Sequence, residues 1–385
     1  MPLYFDKYET VNTLLALTAF YLLLKMDYKE AFWSGFFIGI FWFYWIALSF
    51  RYYDLSWLIP AVIVIISMGY AIVFFAGYYL IERFFKGCLF AKALFLWLLS
   101  YIHPFGFNWF IPDILLLDTI FYPDKLSFFI FLMLLALTIR VPKRYKIISL
   151  SLLLLLSLYN PSTKIEPAPL DIYIATTHIP QDKKWQLRYR DKIIEDNFAL
   201  IQKAIEKRAD VVVLPESTFP LFLNQEPYLI KRLKTLSQKI AIVTGGLYVK
   251  GDKYFNSTYL FTNKEMKVFH KAVLVPFGEE IPLPKWMAKW VNRVFFGGSS
   301  DYTPSQKAAS YTIKGVKFTN AICYEATHPM IYDQSPRYII AMSNNAWFIP
   351  SIEPKLQHKI IKYYAKIYKK VVYHSTNIAI SGVIR

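Results

Sequence analysis

Six apolar runs crowd the first 160 residues, at 9–24, 31–50, 57–81, 88–102, 126–140 and 146–159. A bilayer core about 30 Å thick takes roughly 20 apolar residues of helix, somewhat fewer where flanking groups snorkel. The runs therefore predict an N-terminal α-helical membrane bundle of six spans, which excludes an ordinary cytosolic enzyme. Charge follows the same division. Residues 1–160 hold 12 Lys and Arg against 9 Asp and Glu, whereas residues 161–385 hold 32 against 18, so most of the net charge of +17 lies in the second part. The expected domains are a transmembrane domain over 1–160 and a basic, water-soluble domain over 161–385, which is long enough to bury a core of its own. The first run lacks the basic flank and small-residue cleavage site of a secretory signal and is read as a retained span.

Lys25, Lys29, Arg83, Lys86, Lys92, Arg140, Lys143, Arg144 and Lys146 fall on one side of this bundle, and only Lys7, Arg51 and Lys125 on the other. By the positive-inside rule the richer side is cytoplasmic, so the chain leaves its sixth span outside, at Asn160-Pro161. The second domain is then extracytoplasmic. Its basic charge suits an anionic lipid surface rather than nucleic acid, since no zinc-ligand spacing or aromatic RNA-binding signature accompanies it. Trp42, Trp45, Tyr52, Tyr53, Trp57 and Trp109 at span edges read as an interfacial aromatic belt. The loop 101–109, rich in Pro, Gly and aromatic residues, is either the lining of a lipid entrance or a plain interfacial or re-entrant loop.

From Leu170 the pattern changes to short β-rich runs alternating with amphipathic helix. Strands are expected at 171–176, 211–214, 240–243, 257–261, 269–275, 316–322 and 338–342, and Ile194, Phe198, Ile201 and Ile205 stripe one face of a helix. This alternation specifies an α/β layered domain. Three of its strand ends carry reactive groups: Leu214-Pro-Glu216, His270-Lys271 and Ala321-Ile-Cys323. The ends of buried strands are where α/β sheets display their sites. Two cysteines are too few for a disulfide framework. Cys88 reads as a small apolar residue at a span end, and Cys323 as a nucleophile or a core thiol. A Cys-His pair using His270 is the rival arrangement, but neighbours on a strand face opposite ways, so a site-facing Lys271 turns His270 away.

The Glu-Lys-Cys order in these local frames resembles the nitrilase superfamily of carbon-nitrogen hydrolases, and the spans ahead of it resemble its membrane-embedded branch, the apolipoprotein N-acyltransferases. The resemblance rests on Ile179-Pro-Gln-Asp-Lys-Lys-Trp185, Val275-Pro-Phe-Gly-Glu279, Ala321-Ile-Cys-Tyr-Glu325 and Ser343-Asn-Asn-Ala-Trp-Phe348, and it covers nearly the whole chain. It implies a nitrilase-like αββα sandwich on the periplasmic face of a bacterial inner membrane. In those terms Glu216 would take the proton of Cys323, because a free thiol with a pKa near 8.5 needs a base. Lys271 and the backbone N–H of Tyr324 would hold the oxyanion. Glu279 resembles the family's further essential carboxylate, keeping Lys271 charged and aligning the incoming amine. Trp185, Asn256, Tyr324, Glu325 and Trp347 match positions that shape the site. Departures from the family pattern lie in the run 362–370, which lacks the usual Arg and Glu, and at Ala379, where Gly is usual. Relatives also continue past the point matching Arg385, with closing strands and a last span.

The function implied is transfer of a fatty acyl chain from a membrane phospholipid donor, through a Cys323 thioester, to the N-terminal amine of a diacylglyceryl apolipoprotein, by a monomer and in ping-pong fashion. Alternatives are a membrane-tethered nitrilase-like amidase and a non-catalytic lipoprotein-binding scaffold. No metal or organic cofactor is expected, for the sequence has no His-Glu-x-x-His, Cys-x-x-Cys or Gly-rich phosphate loop. Between Glu279 and Cys323, the rings of Trp286, Trp290, Phe295 and Phe296 alternate with Lys285, Lys289 and Arg293. That composition suits a lipid-facing lid at the bilayer interface, or else a buried amphipathic helix.

Overall fold

A computed structural model of the 385-residue chain describes residues 8–161, 165–284, 286–288, 293 and 302–385. It divides into two compact units, Met1–Thr163 and Lys164–Arg385.

The first unit is helical. One helix forms on each apolar run: α1 (Glu9–Lys25), α2 (Tyr28–Phe43), α3 (Ile59–Phe85), α4 (Leu89–Leu99), α5 (Lys125–Arg140) and α6 (Lys146–Leu155). Asp27 and Glu30 start α2 with a reciprocal capping box. Among the described residues two stretches, Tyr28–Tyr53 and Ser56–Phe85, are long and apolar enough to cross a membrane. α4 and α6 are shorter than the runs that predicted them. α4 stops at Leu99, ahead of His103-Pro104, and α6 tightens into a 3-10 turn, Leu156–Leu158, ahead of Asn160-Pro161. Proline disfavours helical backbone in the residue before it.

α2 and α3 pack through small residues. A Cβ on Gly35 would lie 2.6 Å from the Tyr70 carbonyl oxygen, and one on Gly39 would lie 2.5 Å from Ser67 Cα. This Gly-x-x-x-Gly spacing lets two apolar helices approach at backbone distance, where dispersion replaces the missing hydrophobic drive. Leu14, Phe41, Ile65, Phe84, Ile147 and Leu158 are exposed, an outward apolar surface that suits lipid. Two expected members of the aromatic belt are interior instead. Trp45 and Trp109 are buried, their ring centroids 4.7 Å apart, and Trp42 Nε1 donates to the Trp109 carbonyl at 2.9 Å. Through Phe107 and Trp109 the loop 101–109 folds back on Trp42 and Phe43 of α2 and on Trp45, while Phe105 stays exposed.

The second unit is a sandwich of two six-stranded mixed sheets. The first sheet runs β1 (Ile172–Ile174), β3 (Val211–Val213), β5 (Ala241–Lys250), β6 (Lys253–Thr262), β7 (Glu265–His270), with β4 (Phe219–Phe222) also on β5. The second runs β12 (Gly382–Ile384), β11 (Val371–Asn377), β10 (Tyr338–Asn344), β9 (Val316–Ile322), β8 (Ser310–Ile313), with β2 (Thr176–Thr177) also on β11. β1, β3 and β5 are mutually parallel, as are β9, β10 and β11. Val211, Val213, Val243 and Leu260 from one sheet and Phe318, Ile322, Ile340 and Met342 from the other form a shared core. The outer face of the first sheet is covered by α8 (Leu187–Glu206) and α9 (Pro227–Leu236), which follow the short α7 (Gln181–Lys184). Ile194, Phe198, Ile201, Leu229 and Leu233 seat them. Next to the second sheet lie α10 (Pro329–Tyr332) and α11 (Glu353–Tyr368), whose Leu356, Ile360 and Ile361 are buried. This is the expected αββα arrangement. Two strands differ from expectation: the run 171–176 divides into β1 and β2, which belong to different sheets, and β7 ends at His270 rather than at 275.

Candidate active site

Glu216 lies in the loop after β3, gripped from both sheets. Its Oε1 accepts from Asn256 Nδ2 of β6 at 2.7 Å, and its Oε2 accepts from the backbone N–H of Asn344, the last residue of β10, at 2.9 Å. The loop sits so close to β5 that a Cβ on Gly245 would be 2.7 Å from Glu216 Cα. Ser217 next to it takes a left-handed φ of 48°.

Lys271 follows β7 directly, its N–H still bonded to the Asn256 carbonyl at 2.9 Å. The ladder therefore extends one residue past the strand and keeps neighbours on opposite faces. His270 pairs with Ser257 Oγ at 2.8 Å and stacks on Phe255. Lys271 goes the other way, 1% exposed, with Nζ 2.6 Å from Glu279 Oε2. Burial alone would pull its pKa down, but Glu279, Cys323 and Glu216 outweigh that and push it up. Glu279 is folded back by the tight turn 275–279: its Oε2 accepts from the Val275 N–H at 2.9 Å and its Oε1 from Asn256 Nδ2 at 3.0 Å. Asn256 thus joins the two carboxylates through one amide nitrogen.

Cys323 begins a 3-10 turn, Cys323–Thr327, at the end of β9, with a left-handed φ of 52°. A non-glycine residue in that region costs on the order of 1 kcal/mol and needs its surroundings to hold it. Glu325 supplies the hold. Its Oε2 accepts from the Ile322 N–H at 2.8 Å, and its Oε1 from the N–H groups of Ala272 and Val273 at 2.6 and 3.1 Å. One buried carboxyl thereby ties the segment after Lys271 to the residue before Cys323. The thiol is pushed well up by burial and by the negative charge of Glu216, with Lys271 opposing and Glu353 and Glu279 adding to the rise.

The structure therefore brings Glu216, Lys271, Cys323, Glu279, Asn256 and Glu325 together. Tyr324 is buried beside them, while Trp185 is 43% exposed and Trp347 partly so. Of the expected lid, Trp286 is exposed; Trp290, Phe295 and Phe296 lie outside the described residues.

Two buried ionisable residues close to these escaped the sequence reading. Lys184 donates to the Glu216 carbonyl at 3.1 Å, and burial pulls its pKa down to about 8 against the opposing charge of Glu216 and Cys323. It adds a second cation to the cluster and braces the Glu216 loop. Lys184→Met is expected to slow iodoacetamide labelling of Cys323 about tenfold in a folded chain, since a hydrogen bond from a charged donor is worth about 1.5–3 kcal/mol. A rate within twofold of the parent would count against that role.

The other is Glu353, whose pKa burial pushes up to about 8, Asn345 opposing and Glu216 adding. Glu325 is likewise raised, by burial, to about 7. Each binds its proton more tightly folded than unfolded, so the unfolding free energy falls as pH rises from about 4.5 through 7 to 8. Denaturation of the full chain at pH 5 and pH 8 should show this loss, and Glu353→Gln should reduce it. An equal loss in parent and variant would refute the assignment to Glu353.

A half-buried thiol, two carboxylates and a lysine at the strand ends of an αββα sandwich define a carbon-nitrogen hydrolase fold, here joined to a membrane domain. Residues 181–369 match the family described as carbon-nitrogen hydrolase, and residues 2–159 match the apolipoprotein N-acyltransferase integral membrane domain. The apolipoprotein N-acyltransferase of Wolinella succinogenes is 43% identical over 373 residues, covering 97% of this chain and 89% of that one. That of Helicobacter pylori is 37% identical over 379 residues, covering 97% and 88%. The chain belongs to the apolipoprotein N-acyltransferase family. Among solved structures, a CN-hydrolase superfamily protein from Xanthomonas campestris is similar to it at 15% identity and a TM-score of 0.42, covering 55% of this chain and 77% of that one.

Proposed function

We propose that this protein moves a fatty acyl chain from a membrane phospholipid, through a thioester on Cys323, to the α-amino group of the diacylglyceryl-cysteine of an apolipoprotein. The observation that carries this reading is the meeting of the buried Glu216 and Lys271 with the half-buried Cys323 in a chain of this family.

In the first half-reaction Glu216 takes the thiol proton as Sγ attacks the ester carbonyl. Lys271 and the Tyr324 N–H hold the oxyanion. The ester C–O bond then breaks, and Glu216 returns the proton to the departing lysophospholipid oxygen. In the second half, the neutral amine attacks the thioester, Glu216 takes its proton, and C–S cleavage frees a thiolate that the same proton restores. Glu279 keeps Lys271 cationic throughout, and Asn256 keeps the two carboxylates in register.

The deciding experiment is intact-mass analysis after incubation with phospholipid vesicles. A fatty-acyl adduct on Cys323, discharged on adding a diacylglyceryl peptide, supports the reading. Release of free acid without an adduct would favour an amidase.

The second unit works outside the cytoplasm, with the membrane domain multi-pass. A periplasm-active reporter fused at Lys164 is expected to be active and the same reporter at Lys143 silent. The opposite pattern would overturn the orientation.

A further inference from the structure

Cys323 also meets a chain of polar groups that the mechanism above leaves unused. Glu353 and Gln357 stand four residues apart on α11, hence on one face of the helix. Gln357 Nε2 lies 4.0 Å from Cys323 Sγ, and its Oε1 accepts from Asn345 Nδ2 at 2.9 Å. The same Nδ2 donates to Glu353, at 3.0 Å from Oε2 and 3.3 Å from Oε1. All three side chains are fully buried.

An amide has a donating end and an accepting end, and its neighbours decide which way it turns. Above its pKa of about 8, in the range where the raised Cys323 thiol also ionises, the Glu353 carboxylate only accepts, so Asn345 turns its NH2 toward it. The second hydrogen of that NH2 goes to Gln357 Oε1, which leaves the NH2 of Gln357 turned toward sulfur. A sulfur surrounded by the carboxylates of Glu216 and Glu279 gains from such a donor, since the buried thiolate must otherwise rely on Lys271 and Lys184.

We propose that Glu353 and Asn345 are positioning residues that set the polarity of Gln357, and that Gln357 gives the Cys323 thiolate an N–H donor as Glu216 removes the proton. This rests on Cys323 being the nucleophile. The charged groups that act on the thiol are Glu216, Lys271 and Glu279 from the loops of the first sheet, Lys184 from α7, and Glu353 from α11. Only Glu353 belongs to the relay. Its two possible effects have opposite signs: as a bare negative charge it disfavours the thiolate, and as the anchor of the relay it favours it.

The test measures the rate of Cys323 alkylation by iodoacetamide against pH, on the full chain in detergent with Cys88 replaced by Ala. Gln357→Leu and Glu353→Met are each expected to displace the rate profile upward by about one pH unit, about tenfold slower on its rising limb. An undisplaced Gln357→Leu profile, or faster labelling in Glu353→Met, would overturn the relay. If Glu353→Met does not fold, Gln357→Leu decides alone, because it removes the N–H and leaves Glu353 in place. Acyl transfer that survives Cys323→Ala would instead sink the functional reading, and the relay with it.

Discussion

Cys323→Ala is expected to abolish both the acyl adduct and transfer to a diacylglyceryl peptide, and Glu216→Gln and Lys271→Met each to leave at most about a thousandth of the parent rate. In the proposed mechanism the three groups act on one event, so the losses are expected to be large and not additive. Glu216 must be unprotonated to accept a proton from a thiol whose surroundings resist ionisation. Lys271, held charged by Glu279 at 2.6 Å, would in that mechanism oppose those carboxylates at the same moment that it supports the oxyanion. A double variant, Glu216→Gln with Lys271→Met, should therefore be little worse than either single one. The measurement is product formation by mass spectrometry with vesicles and peptide in excess. Parent-like turnover in any single variant would remove the mechanism.

Glu325→Ala should do comparable damage by another route. It leaves the N–H groups of Ile322, Ala272 and Val273 without the carboxyl that accepts from them. Each unsatisfied buried donor costs about 1–3 kcal/mol, so a loss of about 3 kcal/mol or more is expected, seen as a lower unfolding temperature of the full chain. Activity should fall further than stability alone requires, because the left-handed turn at Cys323 and the position of Lys271 depend on the same carboxyl. Glu325→Gln should be intermediate, since its NH2 must face at least one of these donors. An unchanged unfolding temperature in the Ala variant would show that the tie carries no weight.

The parallel centre of each sheet was legible because continuous apolar runs such as Val211-Val-Val-Leu and Tyr338-Ile-Ile-Ala-Met fit a strand buried on both faces. β11 was not. Four of the seven residues of Val371-Val-Tyr-His-Ser-Thr-Asn377 are polar, yet the whole strand is buried. Its polar side chains are paired inside: Ser375 with the Ala175 carbonyl, His374 with Ser343, and Asn377 with Thr177, Ile179 and Asn344. Pairing reverses the usual link between polarity and exposure, and sequence does not display pairing. Lys183 and Lys184 show the same limit: the neighbours are chemically identical, one is exposed and the other sealed against the Glu216 loop. Glu353 stands in the first turn of its helix, where an acid is ordinary, and its sequence position does not display its burial. The Glu216, Lys271 and Cys323 positions were legible because each follows or lies in an expected buried strand and local motifs surround them.

The division of the site between two sheets governs when the enzyme becomes reactive during its manufacture. Glu216 and Lys271 are synthesised long before Cys323, and β2 must wait for β11, some 200 residues later, to close the second sheet. Pairings so distant in the chain form late and slowly. Until they form, Cys323 is an ordinary thiol on an unfinished polypeptide, with neither the base nor the lysine beside it. The cluster is thereby assembled only after strands far apart in the chain have paired, since Glu216 is held by the Asn344 N–H at the end of β10.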